Sequence, residues 1–348
     1  MRWRFWLAGL VAAGAAFAGQ PVRVGVFSLF RPQRLVVKPA AAEVLRVEID
    51  GRAVYLEGAQ SAAFRRVDDA VDCFLRRELV TARRARVGAR DGGAVNFLLS
   101  VPGRIERRFH GTLEIASRAG ALEAVVSLDL ETAVASVVAA ESPPGAPLEA
   151  RKAQAVVARS YYLATRGRHS GFDFCDTTHC QFLREPASDE SAARETAGLA
   201  LLCRWEPVAA LYSASCGGRT KSLEEIGLPA EGYPYYSVDC EACWRQARDR
   251  REAREWTARF SGPDAERLRA RPQSEAVRLE IVRRLGWSAL PGNNYQIERE
   301  EDAVVLRGRG SGHGVGLCQQ GAAAMAAAGV DFRVILNRYF PATTIAVR

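Results

Sequence analysis

Short runs in which hydrophobic and polar positions alternate dominate the first part of the chain. β-branched residues are frequent in these runs, and Gly120 marks a turn between the last two. Alternation with a period of two predicts strands that bury one face. The runs cover residues 22–30, 35–39, 45–56, 97–101, 108–117 and 122–130. The pattern therefore predicts a β-rich region near the start of the chain.

The periodicity changes beyond residue 131, where Ala-rich segments with helix-forming side chains begin. The predicted helices cover residues 132–140, 148–166, 188–200 and 319–328. Pro143, Pro144 and Pro147 separate the first two of them, and short strands are predicted at 208–213 and 343–347. We therefore predict an α+β fold with a mixed, β-rich core and a long central helix that carries the active-site region.

The predicted organisation has a targeting segment and two folded parts. Residues 19–105 form the N-terminal β-rich region, and residues 106–348 form a larger domain with a charged helical insertion near 245–286. A hydrophobic content of 48% in 348 residues is enough for a buried core without crosslinks.

Residues 1–18 predict a secretory signal peptide. They combine a basic start, a short apolar run and the ending Ala16-Phe17-Ala18. The apolar run is shorter than the roughly 20 residues of a membrane span. We expect export to the periplasm, the cell envelope or the medium, with no transmembrane span after cleavage; an uncleaved anchor is the alternative.

The net charge of +8 comes largely from arginines in short runs that also contain Glu and Asp. Interleaved charges of this kind are typical of solvated helix faces rather than of a nucleic-acid surface. We therefore expect no nucleic-acid partner. An exported basic protein would instead be attracted to anionic polymers of the cell envelope.

Residues 169–180 contain two of the four histidines and two of the eight cysteines of the chain. The four are His169, Cys175, His179 and Cys180. Two thiolates and two imidazoles suit tetrahedral zinc and leave no position for a catalytic water, which indicates a structural zinc site. A Cys175–Cys180 disulfide is the alternative, since export would permit one.

Four further cysteines lie between residues 216 and 318. Cys240 and Cys243, together with Cys216 and Cys318, suggest either a disulfide or a second metal site. Because export is expected, we favour a disulfide from Cys216 to Cys240 or Cys243.

Seven segments in order resemble the SpoIID/LytB family, which comprises the stage II sporulation protein D and related amidase enhancers. Among them are Val137-Val-Ala-Ala-Glu-Ser-Pro, Cys175-Asp-Thr-Thr-His-Cys-Gln and Tyr212-Ser-Ala-Ser-Cys-Gly-Gly-Arg. The others are residues 109–114, 128–132, 148–161 and 310–322. The chain departs from the usual family pattern at Ser142, where Met is common, and at Cys318, where Ser is common.

The resemblance implies a peptidoglycan substrate and lytic transglycosylase activity, which cuts glycan strands between N-acetylmuramic acid and N-acetylglucosamine without water. The family's acid/base glutamate falls on Glu141, and its zinc ligands fall on the same two histidines and two cysteines. Glycosidic cleavage needs a carboxylic acid at the leaving oxygen. One carboxyl suffices here, because the sugar's own hydroxyl attacks and yields an anhydro ring.

Several side chains are candidates for glycan contacts. Gln154, Arg159 and either Tyr161 or Tyr162 lie on the predicted central helix. His313, in a glycine-dense segment, is a candidate acid/base group or sugar donor, with a structural role as the alternative. Gln319 follows as a further candidate hydrogen-bonding group.

Two alternatives to the enzyme remain. One is a noncatalytic peptidoglycan-binding module that stimulates a cell-wall amidase, which would then be a protein partner. The other is a zinc-dependent hydrolase, but a zinc ion with four protein ligands lacks the open position that hydrolysis requires.

Overall fold

The computed structural model describes residues 21–75, 78–177, 179–183, 191–230, 232–243 and 255–348. The signal peptide predicted at residues 1–18 lies outside the described residues, as does the start of the predicted insertion, 245–254. No helix within the described ranges has both the length and the apolar character needed to cross a bilayer.

The largest element is a twelve-stranded, mostly antiparallel sheet built by the first half of the described chain. Its strands are β1 (Val22–Val26), β2 (Arg34–Pro39), β3 (Val44–Ile49), β4 (Arg52–Glu57), β5 (Ala62–Val67), β6 (Ala70–Leu75), β7 (Glu78–Ala82), β8 (Arg84–Gly88), β9 (Val95–Val101), β10 (Ile105–Arg118), β11 (Ala121–Leu128) and β12 (Phe174–Cys175). Alternate residues point into a single apolar core, as the period of two predicts.

The 14-residue strand β10 holds this sheet together. Its first half pairs with β9, and its second half pairs with β8 on one side and β11 on the other. The sheet therefore continues through residue 105, where the boundary between the two folded parts is predicted.

Seven α-helices lie entirely within the described ranges. They are α1 (Leu130–Glu141), α2 (Leu148–Ala164), α3 (Ser191–Glu195), α4 (Gly262–Ala270), α5 (Glu275–Leu285), α6 (Gln319–Ala327) and α7 (Phe332–Tyr339). Two short 3-10 helices are also present, Ser28–Phe30 and Glu224–Ile226. The Asp129 side chain caps α1 by accepting a hydrogen bond from the Thr132 N–H, and Pro143 and Pro144 follow the end of the helix.

Helix α2 is buried on two faces. Ala155, Ala158 and Tyr162 pack into the core of the large sheet, whereas Val156 and Val157 pack into a second core formed with α6 and α7. The predicted α+β class is confirmed, since strands and helices share these two cores.

Three small sheets complete the fold. One pairs β13 (Leu199–Cys203) with β14 (Glu206–Pro207) and β20 (Thr344–Val347). In another, β15 (Tyr212–Ser213) runs parallel to β19 (Leu317–Cys318). The third contains β16 (Glu255–Ser261), β17 (Tyr295–Arg299) and β18 (Ala303–Arg309).

Residues 255–309 form an inserted unit with a core of its own. Helices α4 and α5 pack with the third small sheet around Leu268, Ile281 and Leu306. The structure differs from the predicted helical region at residues 255–261, which form β16. The alternation of Trp256, Ala258 and Phe260 toward this core gives that segment a strand period, despite its high charge.

Candidate active site and metal centres

Glu141 is the last residue of α1 and is half-buried. Its carboxylate accepts a hydrogen bond from the Phe182 N–H (Oε1···N, 3.1 Å). The Tyr212 hydroxyl also hydrogen bonds to it. The carboxyl is thus held between a helix end, a loop and a short strand.

Two tyrosines surround this carboxyl. Burial raises the pKa of Tyr212 well above its usual value, and the Glu141 charge raises it further. Burial raises the pKa of Tyr162 as well, with a smaller contribution from Glu141. Both phenols therefore stay neutral at physiological pH and can act only as hydrogen-bonding groups beside Glu141.

The structure brings Gln154 and Gln319 to the same place. The Gln319 side chain donates to the Glu141 carbonyl (2.8 Å) and to Gln154 Oε1 (3.3 Å). Gln319 reaches this position because β19 pairs with β15 and leads directly into α6. Close pairing requires Gly316, which has φ +74° and whose added Cβ would overlap the Leu211 carbonyl.

Polar atoms without a protein hydrogen-bond partner concentrate around Glu141. Within the described residues, five such buried atoms lie near Glu141. Their residues interact with Glu141, are its neighbours in sequence, or bond to or adjoin a residue that contacts it. They are Ser142 Oγ, Gln154 Nε2, Tyr162 Oη, Gln181 Oε1 and Ser213 Oγ. Unpaired buried groups are uncommon and mark places where a polar ligand or water can bind.

The four candidate metal ligands meet at one point. His169 Nε2 lies 3.4 Å from Cys180 Sγ, and His179 Nδ1 lies 3.5 Å from Cys180 Sγ and 3.7 Å from Cys175 Sγ. Cys175 and Cys180 are both free thiols rather than a disulfide. These residues could hold a metal ion, as their donor atoms all lie within 4.8 Å of one another.

Elements on two sides fix this cluster. Cys175 lies in β12, which runs parallel to β1 at the edge of the large sheet. Tyr161, on α2, hydrogen bonds to Cys180, and burial raises its pKa to about 12. Tyr161 is only 3% exposed, so it supports the cluster from behind instead of lining an open surface.

The cluster is connected to Glu141 through the chain itself. Phe182, whose N–H contacts the carboxylate, follows Cys180 by two residues. Arg107 lies over the Phe182 ring (4.7 Å) and pairs with the buried Asp176 (3.1 Å). Burial raises the pKa of Asp176 to about 7, against the opposing effect of Arg107. The loop after the cluster is therefore packed on both sides.

Arg159 occupies a different place from the one expected. It is 0% exposed, pairs with Glu131 on α1 (2.5 Å) and donates to the carbonyls of Leu199 and Ala193. Its guanidinium is occupied by the protein itself. We therefore assign Arg159 a structural role in joining α1, α2 and β13.

The ring of His313 is engaged by two backbone groups. Nδ1 accepts from the Val315 N–H (3.1 Å), and the ring also hydrogen bonds to the backbone of Tyr212. Burial lowers the pKa of His313, Glu275 raises it, and Arg278 lowers it. The neutral ring fits this position, which favours the structural alternative over an acid/base role.

The contribution of His313 to the stability of the protein is expected to fall as the pH drops below the ordinary histidine value of 6.5. A lowered folded-state pKa means that the unfolded chain binds the proton first, so protonation favours unfolding. The free energy of unfolding of the wild type minus that of His313→Asn, both measured by denaturant unfolding, should increase from about pH 5.5 to pH 7.5. A difference that stays constant over this range would show that His313 does not carry this dependence.

A second cluster consists of Cys216, Cys240, Cys243 and Cys318, and all four are buried. Their sulfur atoms lie within 4.8 Å of one another, and all four are free thiols. The favoured disulfide from Cys216 to Cys240 or Cys243 is therefore not present. The sequence left the role of Cys318 open because 102 residues separate it from Cys216.

Two contacts of Glu141 were not predicted, Tyr212 and the Phe182 N–H. Tyr212 begins one of the family-like segments, so a signal for it existed in the sequence. A backbone donor such as the Phe182 N–H leaves no signal in the residue type.

Comparison with known proteins agrees with this arrangement. Residues 118–202 match the family described as SpoIID, stage II sporulation protein. An uncharacterized protein of Brachyspira hyodysenteriae is 29% identical over 259 residues, which cover 67% of this chain and 70% of that protein. An amidase enhancer of Bacillus subtilis is 22% identical over 282 residues, which cover 60% of this chain and 39% of the enhancer.

The matched segment contains Glu141, α2 and the first metal cluster, and the resemblance continues into the segments that carry Tyr212 and Gln319. These findings make the chain similar to the SpoIID/LytB family over the segment that carries Glu141 and the first metal cluster.

Proposed function

We propose that this protein is an exported lytic transglycosylase that cleaves the glycan strands of peptidoglycan. The similarity to the SpoIID family and to an amidase enhancer supports a cell-wall-related function. The observation that carries the proposal is the Glu141 carboxylate, held by the Phe182 N–H and the Tyr212 hydroxyl among buried polar atoms that lack partners. This is one positioned acid in surroundings suited to a sugar.

In the proposed reaction Glu141 acts twice. Its carboxylic acid gives a proton to the glycosidic oxygen as the bond to the anomeric carbon breaks. The resulting carboxylate then takes the proton of the muramic acid's own hydroxyl as that oxygen bonds to the anomeric carbon. The product is an anhydro sugar, the proton returns to Glu141, and no water is consumed.

The neighbouring residues position this carboxyl. The Phe182 N–H and Tyr212 hydroxyl fix the carboxyl, and the Gln319 amide fixes the end of α1 through the Glu141 carbonyl. Gln154 Nε2 lacks a protein partner, but Gln154 is only 2% exposed, so it belongs to the buried polar surroundings of Gln319 rather than to an open sugar-binding surface.

We propose that the first cluster holds zinc through His169, Cys175, His179 and Cys180. Tetrahedral zinc with bonds of about 2.3 Å to sulfur and 2.0–2.1 Å to nitrogen places neighbouring S and N donors about 3.6 Å apart. The three S···N distances of 3.4, 3.5 and 3.7 Å fit this geometry. Zinc would supply a crosslink that holds the loop ending at Phe182 against Glu141.

A noncatalytic module that stimulates a cell-wall amidase is the second candidate. The relative described as an amidase enhancer favours it, although this chain spans 39% of that protein. In this case the groups around Glu141 would bind glycan without cleaving it, and the amidase would be a protein partner.

The two candidates differ in their products. The mature protein is incubated with purified glycan strands stripped of their peptides, and the products are separated by mass spectrometry. Anhydro-muramic ends are expected. Reducing ends, which require water, would contradict the transglycosylase, and strands that bind but remain intact would favour the enhancer.

A further inference from the structure

The second cysteine cluster joins three segments that are distant in sequence. Cys216 follows β15, Cys240 and Cys243 form a C-x-x-C pair, and Cys318 ends β19 and caps α6. Each is at most 3% exposed. The cluster is separate from the groups assigned to catalysis and from the first metal cluster.

Hydrogen-bonding groups lie beside three of the four sulfurs. Two backbone N–H groups, those of Cys216 and Gly321, lie 3.3 Å from Cys318 Sγ. The Tyr339 hydroxyl lies 3.0 Å from Cys240 Sγ, and the Ser215 hydroxyl lies 3.2 Å from Cys243 Sγ. Donors around sulfur stabilise thiolates, and such outer contacts orient the ligands of metal sites.

We propose that these four cysteines bind a second structural zinc ion as a tetrathiolate site. One zinc ion with four bonds of about 2.3 Å holds its sulfurs about 3.8 Å apart. All four sulfurs here already lie within 4.8 Å of one another, so small shifts complete the shell. An iron–sulfur cluster is a poorer fit, because its own iron and sulfide atoms separate thiolates bound to different irons.

A single ion also explains the arrangement better than disulfides do. Two disulfides would join the four cysteines in pairs and would leave the donors near Cys318, Cys240 and Cys243 without thiolates to stabilise. One zinc ion instead binds all four sulfurs as thiolates in the same way. At Gly321 an added Cβ would overlap Cys240 Sγ and the Tyr339 hydroxyl, so this helix turn has no side chain where the cluster packs.

The position of the site gives it a structural role. Cys243 precedes the inserted unit of residues 255–309, and Cys318 follows it, so the ion would fix both ends of the insertion. Gln319, the residue next to Cys318, donates to the Glu141 carbonyl. The second zinc would therefore also hold α6 in place beside Glu141.

The test is the metal content of the purified full chain, measured as zinc per chain by plasma mass spectrometry after dialysis. We expect two zinc ions for the wild type and one each for Cys243→Ser and Cys180→Ser, which remove a ligand from the second and first clusters. Cys203→Ser is the matched control, because Cys203 is a free cysteine outside both clusters, and it should keep two.

A second measurement keeps the test valid if a variant does not fold. It is the intact mass of the wild type under denaturing, nonreducing conditions. A mass equal to that of the fully reduced chain supports the proposal. A mass lower by two hydrogens for each disulfide, together with one zinc per chain, would overturn it. Iron in place of the second zinc, or two zinc ions retained in Cys243→Ser, would overturn it as well.

Discussion

Glu141→Gln is expected to lower the rate of glycan cleavage by about 10²–10⁴-fold, the contribution typical of a general acid/base group. An amide has nearly the shape of the carboxyl but cannot give a proton to the glycosidic oxygen. Its oxygen can still accept from the Phe182 N–H, so the loop should keep its position. The measurement is the initial rate of formation of anhydro-muramic ends.

The matched control for this experiment is Glu206→Gln, which makes the same change at an exposed position. It should cleave at the wild-type rate. Unchanged thermal unfolding of both variants would show that the loss at Glu141 is chemical and not structural. A rate for Glu141→Gln within a factor of about two of the control would contradict the role of this carboxyl, since a general acid contributes far more.

The sequence predicted the helix that ends at Glu141 and the first metal cluster, because each depends on residues that are close together in the chain. The Ala-rich run before Pro143 ends a helix at Glu141, and the spacing of histidines and cysteines in residues 169–180 brings four donors together. The β-rich start followed from a period of two, and the α+β class followed from the change of period. Resemblance added the role of Glu141.

Long-range partners were not predictable in the same way. Arg159 is a plausible sugar-binding residue in the sequence, and only the burial of α2 between two cores shows that its guanidinium is occupied. Likewise, Cys216 and Cys318 of the second cluster meet because β15 pairs with β19 across about a hundred residues. Cys240 joins them through a hydrogen bond from its N–H to the Gly218 carbonyl. At residues 255–261 the high charge favoured a helix, but the alternation of inward and outward residues decided the structure.

Glu131→Ala is expected to lower the free energy of unfolding by about 3 kcal/mol, the lower end of the 3–5 kcal/mol found when one partner of a buried ion pair is removed. Arg159 would keep its charge in a fully buried position without its carboxylate. The lower end applies because the Glu131 side chain is 40% exposed, so water can reach the guanidinium from that side. The Gly198 N–H, which also donates to Glu131, would lose its acceptor. Urea unfolding at neutral pH measures the change.

Glu298→Ala is the matched control, because the Glu298–Arg307 pair has a similar separation (2.8 Å) but both side chains are more than half exposed. It should leave the unfolding midpoint unchanged, since exposed pairs contribute little.

A double variant, Glu131→Ala with Arg159→Met, separates the charge from the packing. If a buried unpaired charge causes the loss, the double variant should be more stable than Glu131→Ala alone, because the apolar side chain needs no partner. A double variant that is less stable than Glu131→Ala would instead show that the hydrogen bonds of Arg159 to the carbonyls of Leu199 and Ala193 outweigh the cost of its unpaired charge. The guanidinium would then hold β13 against α2 even without its carboxylate.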